Sequence, residues 1–131
     1  VKYHEHHILV YGRSMGSGFA TKIAADNKPR YLIIDSPYFS LKKVAERYAP
    51  ILPHRWLLRF QLRTDKWITK VNCHTYIIHG TKDWLIPISH SEKLQRLNPH
   101  KITLIRIHGG SHNNLPDFPE YHNFIRDILL Y

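Results

Sequence analysis

Apolar residues in this chain collect in short blocks separated by polar, glycine-bearing turns. Residues 8–11, 31–35, 76–79 and 102–107 are blocks of this kind. The first three run almost without alternation, the pattern of strands buried on both faces of a parallel sheet. Between the blocks the period lengthens. Met15, Phe19 and Ile23 recur at i, i+4 and i+8, which predicts a helix burying that stripe, with Gly16, Gly18 and Ala20 allowing close approach to a sheet. A further helix is expected over residues 87–97. Another over 120–130 places Tyr121, Phe124, Ile125, Ile128 and Leu129 on its apolar face. Strand and helix therefore alternate, and the fold class predicted is α/β: three αβα layers around a mostly parallel sheet of about four strands.

The stretch from Ser36 to Val71 breaks this rhythm, being far longer than an ordinary strand-to-helix connection. Ser40 is placed to cap a helix carrying Leu41, Val44, Ala45 and Tyr48. Pro50 and Pro53 then interrupt the chain before Trp56, Leu57, Leu58, Phe60 and Leu62. Residues 37–70 read as a small helical cap inserted in one domain spanning 1–131. Arg55, Arg59 and Arg63 among these aromatics would also suit a membrane surface, but the apolar residues form no single stripe. The intramolecular cap is the better reading.

Composition limits the function classes. The 131 residues suffice for a real core, and 43% apolar with 22% charged residues is ordinary globular usage. Nineteen Lys and Arg against ten Asp and Glu give a formal charge of +9, spread along the chain without a nucleic-acid-binding motif, so nucleic acid is not an expected partner. His4, Glu5, His6 and His7 are metal-compatible, yet they sit in a polar terminal run before the first strand, and no metal is expected there. The lone Cys73 cannot form an internal disulfide, and no apolar run approaches the roughly 18 residues of a membrane span. A reduced cytoplasmic setting is expected, peripheral to a membrane if an anchor precedes Val1.

The string with most chemical content is Gly12-Arg13-Ser14-Met15-Gly16, a G-x-S-x-G between a strand and a helix. In that context the serine sits on a strained turn with its hydroxyl exposed at the top of a sheet. A phosphate-binding loop would need a G-K-[ST] ending or dinucleotide glycine spacing, and both are missing. Two later loops supply matching partners. Asp83 follows the third strand in His79-Gly80-Thr81-Lys82-Asp83, and His112 follows the fourth in His108-Gly109-Gly110-Ser111-His112. Ser, Asp, His is the chain order of an α/β-hydrolase triad, in which His112 would take the proton of Ser14 and Asp83 would fix the imidazole tautomer.

At residues 12–18, 36–38, 73–83 with 86–87, and 109–112, the sequence resembles the α/β-hydrolase superfamily, particularly its serine aminopeptidase-like and acyl-protein thioesterase-like branches. The likeness covers nearly the whole chain, from Ile8 to Tyr131. It implies a serine hydrolase acting on an ester, thioester or peptide bond without a cofactor, with Ser14 as nucleophile, Asp83 as acid, His112 as base and the Met15 N–H as an oxyanion donor. Asp35, after the second strand, is a competing acid, since some relatives place it there. His74 stands where many relatives have proline. The resemblance also implies a carboxyl-terminal half, because the elbow normally follows the fifth of eight strands. The strands before it, and the loop giving the second oxyanion N–H, have no counterpart before Ile8. Loss of one such donor costs on the order of 10²- to 10³-fold in turnover. Residues 8–11 would then form an open edge, to be paired by a second copy or by the missing amino-terminal half. A non-catalytic α/β module binding through that edge is the alternative.

Overall fold

A computed structural model describes residues 2–48, 59 and 61–130. The expectations for Pro50, Pro53, Arg55, Trp56, Leu57, Leu58 and Phe60 fall outside the described residues. Strand β1 (Leu9–Arg13) leads through helix α1 (Met15–Asp26) to β2 (Tyr31–Asp35). Helices α2 (Leu41–Arg47) and α3 (Thr64–Trp67) follow, then β3 (His74–Gly80), α4 (Ser89–Leu97), β4 (Ile102–Ile107) and α5 (Pro119–Leu130). The four strands are all parallel, in spatial order β1-β2-β3-β4.

Parallel crossovers are right-handed, so strands stepping in one direction place their connecting helices on one face. Alternation along the strands confirms two buried faces. On the first, Leu32, Ile34, Ile77 and Leu104 pack against Ala20 and Ala24 of α1, Leu94 of α4, and Ile68 and Val71 beyond α3. On the second, Ile33, Ile78 and Ile107 meet Leu115 and Ile128, with Phe124 and Ile125 of α5 against them. Each such aliphatic contributes about 1.5–3 kcal/mol by leaving water. Three αβα layers result, with four strand carboxyl ends opening on one rim.

Two strands match their sequence blocks and two extend them. The first begins one residue later and runs on through Gly12 and Arg13, which take ladder places opposite Ile34 and Asp35. The third begins at His74, whose Nε2 lies 2.8 Å from Thr103 Oγ1. The helix expected over 87–97 starts at Ser89.

The stripe on α1 is reversed. Met15, Phe19 and Ile23, expected to be buried, are each about half exposed, and Ser17, Gly18, Ala20, Thr21 and Ala24 face inward. Close approach is the cause: a Cβ on Gly12 would fall 2.5 Å from Ala20 Cβ and 2.5 Å from the Gly16 carbonyl oxygen. Large side chains have no room there, so small ones face the sheet. Gly16 contributes its backbone to that contact; a Cβ on it would meet open space. Leu129 likewise leaves the expected apolar face of α5 and is exposed.

Candidate active site

Ser14 occupies the turn between β1 and α1 at φ 50° and ψ −120°. For a residue with a Cβ this conformation costs on the order of 1–3 kcal/mol and persists only when the surroundings enforce it. They do so from both sides. The Ser14 N–H donates to the Asp35 carbonyl at 2.8 Å, and the Ser14 carbonyl accepts from the Ser17 N–H at 3.0 Å and the Ser17 hydroxyl at 2.6 Å. Met15 is the first residue of α1, so its N–H has no acceptor within the helix and lies at the positive end of the helix dipole.

The Ser14 hydroxyl stands 3.0 Å from His112 Nε2, and His112 Nδ1 stands 2.7 Å from Asp83 Oδ2. A carboxylate only accepts, so Nδ1 carries the proton and Nε2 is left to accept from the serine. This is the tautomer a general base requires. His112 and Asp83 are both buried, which keeps water from competing for these bonds. The other carboxylate oxygen of Asp83 accepts the N–H groups of Leu85 at 3.0 Å and Ile86 at 2.8 Å. Burial alone would raise the Asp83 pKa, but hydrogen bonds from His79, the Ile86 N–H and His112 outweigh it and hold the carboxyl below its ordinary value.

His79, which the sequence marked only as the head of the Asp83 turn and not as a site residue, takes part as well. Fully buried at the end of β3, it directs Nε2–H at the Ile86 carbonyl, 2.7 Å away, with Asp83 Oδ2 at 3.2 Å. Its Nδ1 accepts from the Ser91 hydroxyl at 2.5 Å. The ring thus fastens the Asp83 loop to α4. Its place four residues before Asp83 in a strand was the available clue.

Asp35 does not join this line. Its side chain is fully buried on the other flank of Ser14, where it accepts from Tyr11 and Ser36 and lies 3.7 Å from Arg13 Nε. The structure brings Asp83, and not Asp35, to His112.

An apolar pocket of about 420 Å³ opens beside the Ser14 hydroxyl. Met15, Tyr38, Leu41, Tyr48, Trp84 and Ile86 are among the residues that wall it. Tyr38 is anchored by a 3.1 Å bond from its hydroxyl to the Met15 carbonyl, and burial raises its pKa above the ordinary tyrosine value, so it remains a donor. Tyr48 donates to the Leu85 carbonyl at 2.7 Å, joining α2 to the Asp83 loop. Among the described residues, no group of three His, Cys, Asp or Glu side chains is placed to hold a metal ion, and no helix is long and apolar enough to cross a membrane.

No family model matches the chain. Among curated proteins, it is 29% identical over 107 residues to an uncharacterized protein of Mycobacterium tuberculosis, covering 82% of this chain and 38% of that one. It is 28% identical over 115 residues to alpha/beta hydrolase domain-containing protein 17B of Xenopus laevis, covering 88% and 38%. It is 23% identical over 150 aligned residues to the lysophosphatidylserine lipase ABHD12 of Danio rerio, covering 93% and 39%. The chain thus spans less than two fifths of these relatives. Among solved structures, the Pyrococcus furiosus esterase Pf2001 superposes with a TM-score of 0.72 at 21% identity, over 95% of this chain and 53% of that one. Pyrococcus horikoshii acylaminoacyl peptidase gives 0.70 at 13%, over 97% and 23%. At such identities the superpositions speak for the fold.

Proposed function

Because this chain belongs to the α/β-hydrolase superfamily, we propose that it carries the nucleophile, base and acid of a serine hydrolase cleaving an ester, thioester or peptide bond. One observation carries the proposal: the line from Ser14 Oγ through His112 to Asp83, with steps of 3.0 and 2.7 Å, at the carboxyl ends of parallel strands.

In this reaction the Ser14 oxygen bonds to the acyl carbon while His112 Nε2 takes its proton. Asp83 stabilises the imidazolium so formed. The tetrahedral oxyanion takes the Met15 N–H at the positive end of α1. Collapse breaks the bond to the leaving group, which departs with the proton from His112. Water then attacks the acyl-serine, His112 again removing a proton, and the acid leaves as Ser14 is restored. The apolar walls beside Ser14 favour an uncharged, apolar acyl group over a charged one. A relative named as a lysophosphatidylserine lipase and a structural neighbour named as an esterase fit an ester of that kind.

Aryl esters of increasing acyl length test the proposal. Hydrolysis is expected to rise from acetyl to longer apolar chains and to fall by at least about 10³-fold in Ser14→Ala and His112→Ala. Turnover surviving in Ser14→Ala would overturn it. A second reading, a non-catalytic module that takes a further strand from another copy or from preceding residues, rests on the outer edge of β1. Among the described residues that edge has no ladder partner.

A further inference from the structure

Asp35 and Arg13 are the buried acid and the neighbouring base that the proposed chemistry does not use. They stand directly opposite each other in the β1–β2 register, both on the face covered by α5. Asp35 is fully buried, so its charge must be compensated locally. Its Oδ1 accepts from the Ser36 hydroxyl at 2.8 Å and its Oδ2 from the Tyr11 hydroxyl at 3.0 Å. Since the one proton of Tyr11 goes to Asp35, Tyr121 of α5 donates to Tyr11 across 3.2 Å. The remaining compensation is Arg13 Nε at 3.7 Å.

The guanidinium does not end there. Arg13 Nη2 donates to the backbone carbonyl of His112 and, at 3.2 Å, to Asn113 Oδ1. One side chain therefore starts beside Ser14 in sequence and ends on the main chain of His112. Asp83 fixes how the imidazole ring is turned, but a bond to the ring leaves the height of its loop above the strand ends undetermined. Arg13 ties that loop down at His112 itself. Arg13 is itself partly exposed, and a pair exposed on both sides would carry little weight. Here the anchor is a buried carboxylate, and the target is a neutral carbonyl on the base.

Resting on the serine-hydrolase reading above, we infer that Arg13 is a positioning residue that sets the separation of Ser14 and His112, and that Asp35 holds its guanidinium in place. The planar fork is essential, because it reaches Asp35 through Nε and the His112 carbonyl through Nη2 together, which a single ammonium cannot do.

The test compares wild type with Arg13→Lys, Arg13→Met and Asp35→Asn by the kinetics of Ser14 labelling with a fluorophosphonate and by the NMR signal of the His112 Nδ1 proton. In both Arg13 variants the maximal labelling rate should fall by up to about 100-fold, the scale of a misplacement near 1 Å, with little change in the half-saturating probe concentration. The His112 proton signal should shift or broaden. Asp35→Asn should move both readouts in the same direction. Arg13→Lys keeps a cation beside Asp35 and so preserves the comparison if Arg13→Met fails to fold. A folded Arg13→Lys labelled at the wild-type rate with an unchanged His112 signal overturns the inference. Absence of labelling in wild type would instead count against the hydrolase reading, and the His112 signal would still decide the role of Arg13.

Discussion

At the scale of single residues, the site combines strain with fastening. Ser14 is held at φ 50° by bonds to both neighbouring elements, so its replacement by glycine, which adopts that region without a Cβ clash, should stabilise the fold by about 1 kcal/mol while abolishing labelling. Chemical denaturation beside a labelling assay checks both halves. Ser14, Asp83 and His112 were legible because each follows an apolar strand within a glycine-bearing turn of recognisable composition. The pairing of Arg13 with Asp35 was not, since their opposition exists only once the register of β1 on β2 is known. The folded-state pKa of Asp83 lies below the unfolded value of about 3.9, so its contribution to stability is complete above that pH and is lost as pH falls through the folded value. The stability difference between wild type and Asp83→Asn should therefore narrow in denaturation series taken below about pH 3.9. A difference that stayed constant would remove Asp83 as a linked carboxylate.

At the scale of elements, β2 and β4 were read to the residue because unbroken apolar runs between turn residues mark buried strands closely. Helix α1 was found but turned the wrong way. Periodicity shows that two faces differ, and the sheet, through the bare backbone of Gly12, selected the small one. Gly12→Ala should accordingly cost about 1–3 kcal/mol or more, because the added methyl meets a backbone carbonyl that cannot move aside. The join between α4 and the pocket wall has its own pH dependence. His90 Nδ1 accepts the Phe39 N–H at 3.0 Å. Burial first, then chiefly the positive charge of Lys93, with those of Lys43 and Arg47, lowers its pKa to about 4. That is below the unfolded value of about 6.5, so stability is complete above pH 6.5 and falls towards pH 4, by at most about 1.4 kcal/mol per unit. His90→Asn, an acceptor that does not titrate, should flatten this part of the profile in urea titrations.

At the scale of the molecule, four parallel strands bring Ser14, Asp83 and His112 to one rim from three separate loops, as ligand sites in open α/β sheets are built. The outer edge of β1 and the apolar stripe of Phe19 and Ile23 on α1 lie beside one another in sequence, and both face outward. Exposed strand edges with apolar flanks recruit further strands. The chain should therefore associate as its concentration rises in light scattering, and Phe19→Glu with Ile23→Glu should reverse it. A particle mass independent of concentration would count against that surface. The most direct measurement of the chemistry is the site and stoichiometry of fluorophosphonate attachment, read by peptide mass. One equivalent on Ser14, lost when His112 is replaced by alanine in a protein that still folds, is expected. Folded wild type that takes up no probe, or labelling of Ser14 that is indifferent to His112, would contradict the serine-hydrolase reading.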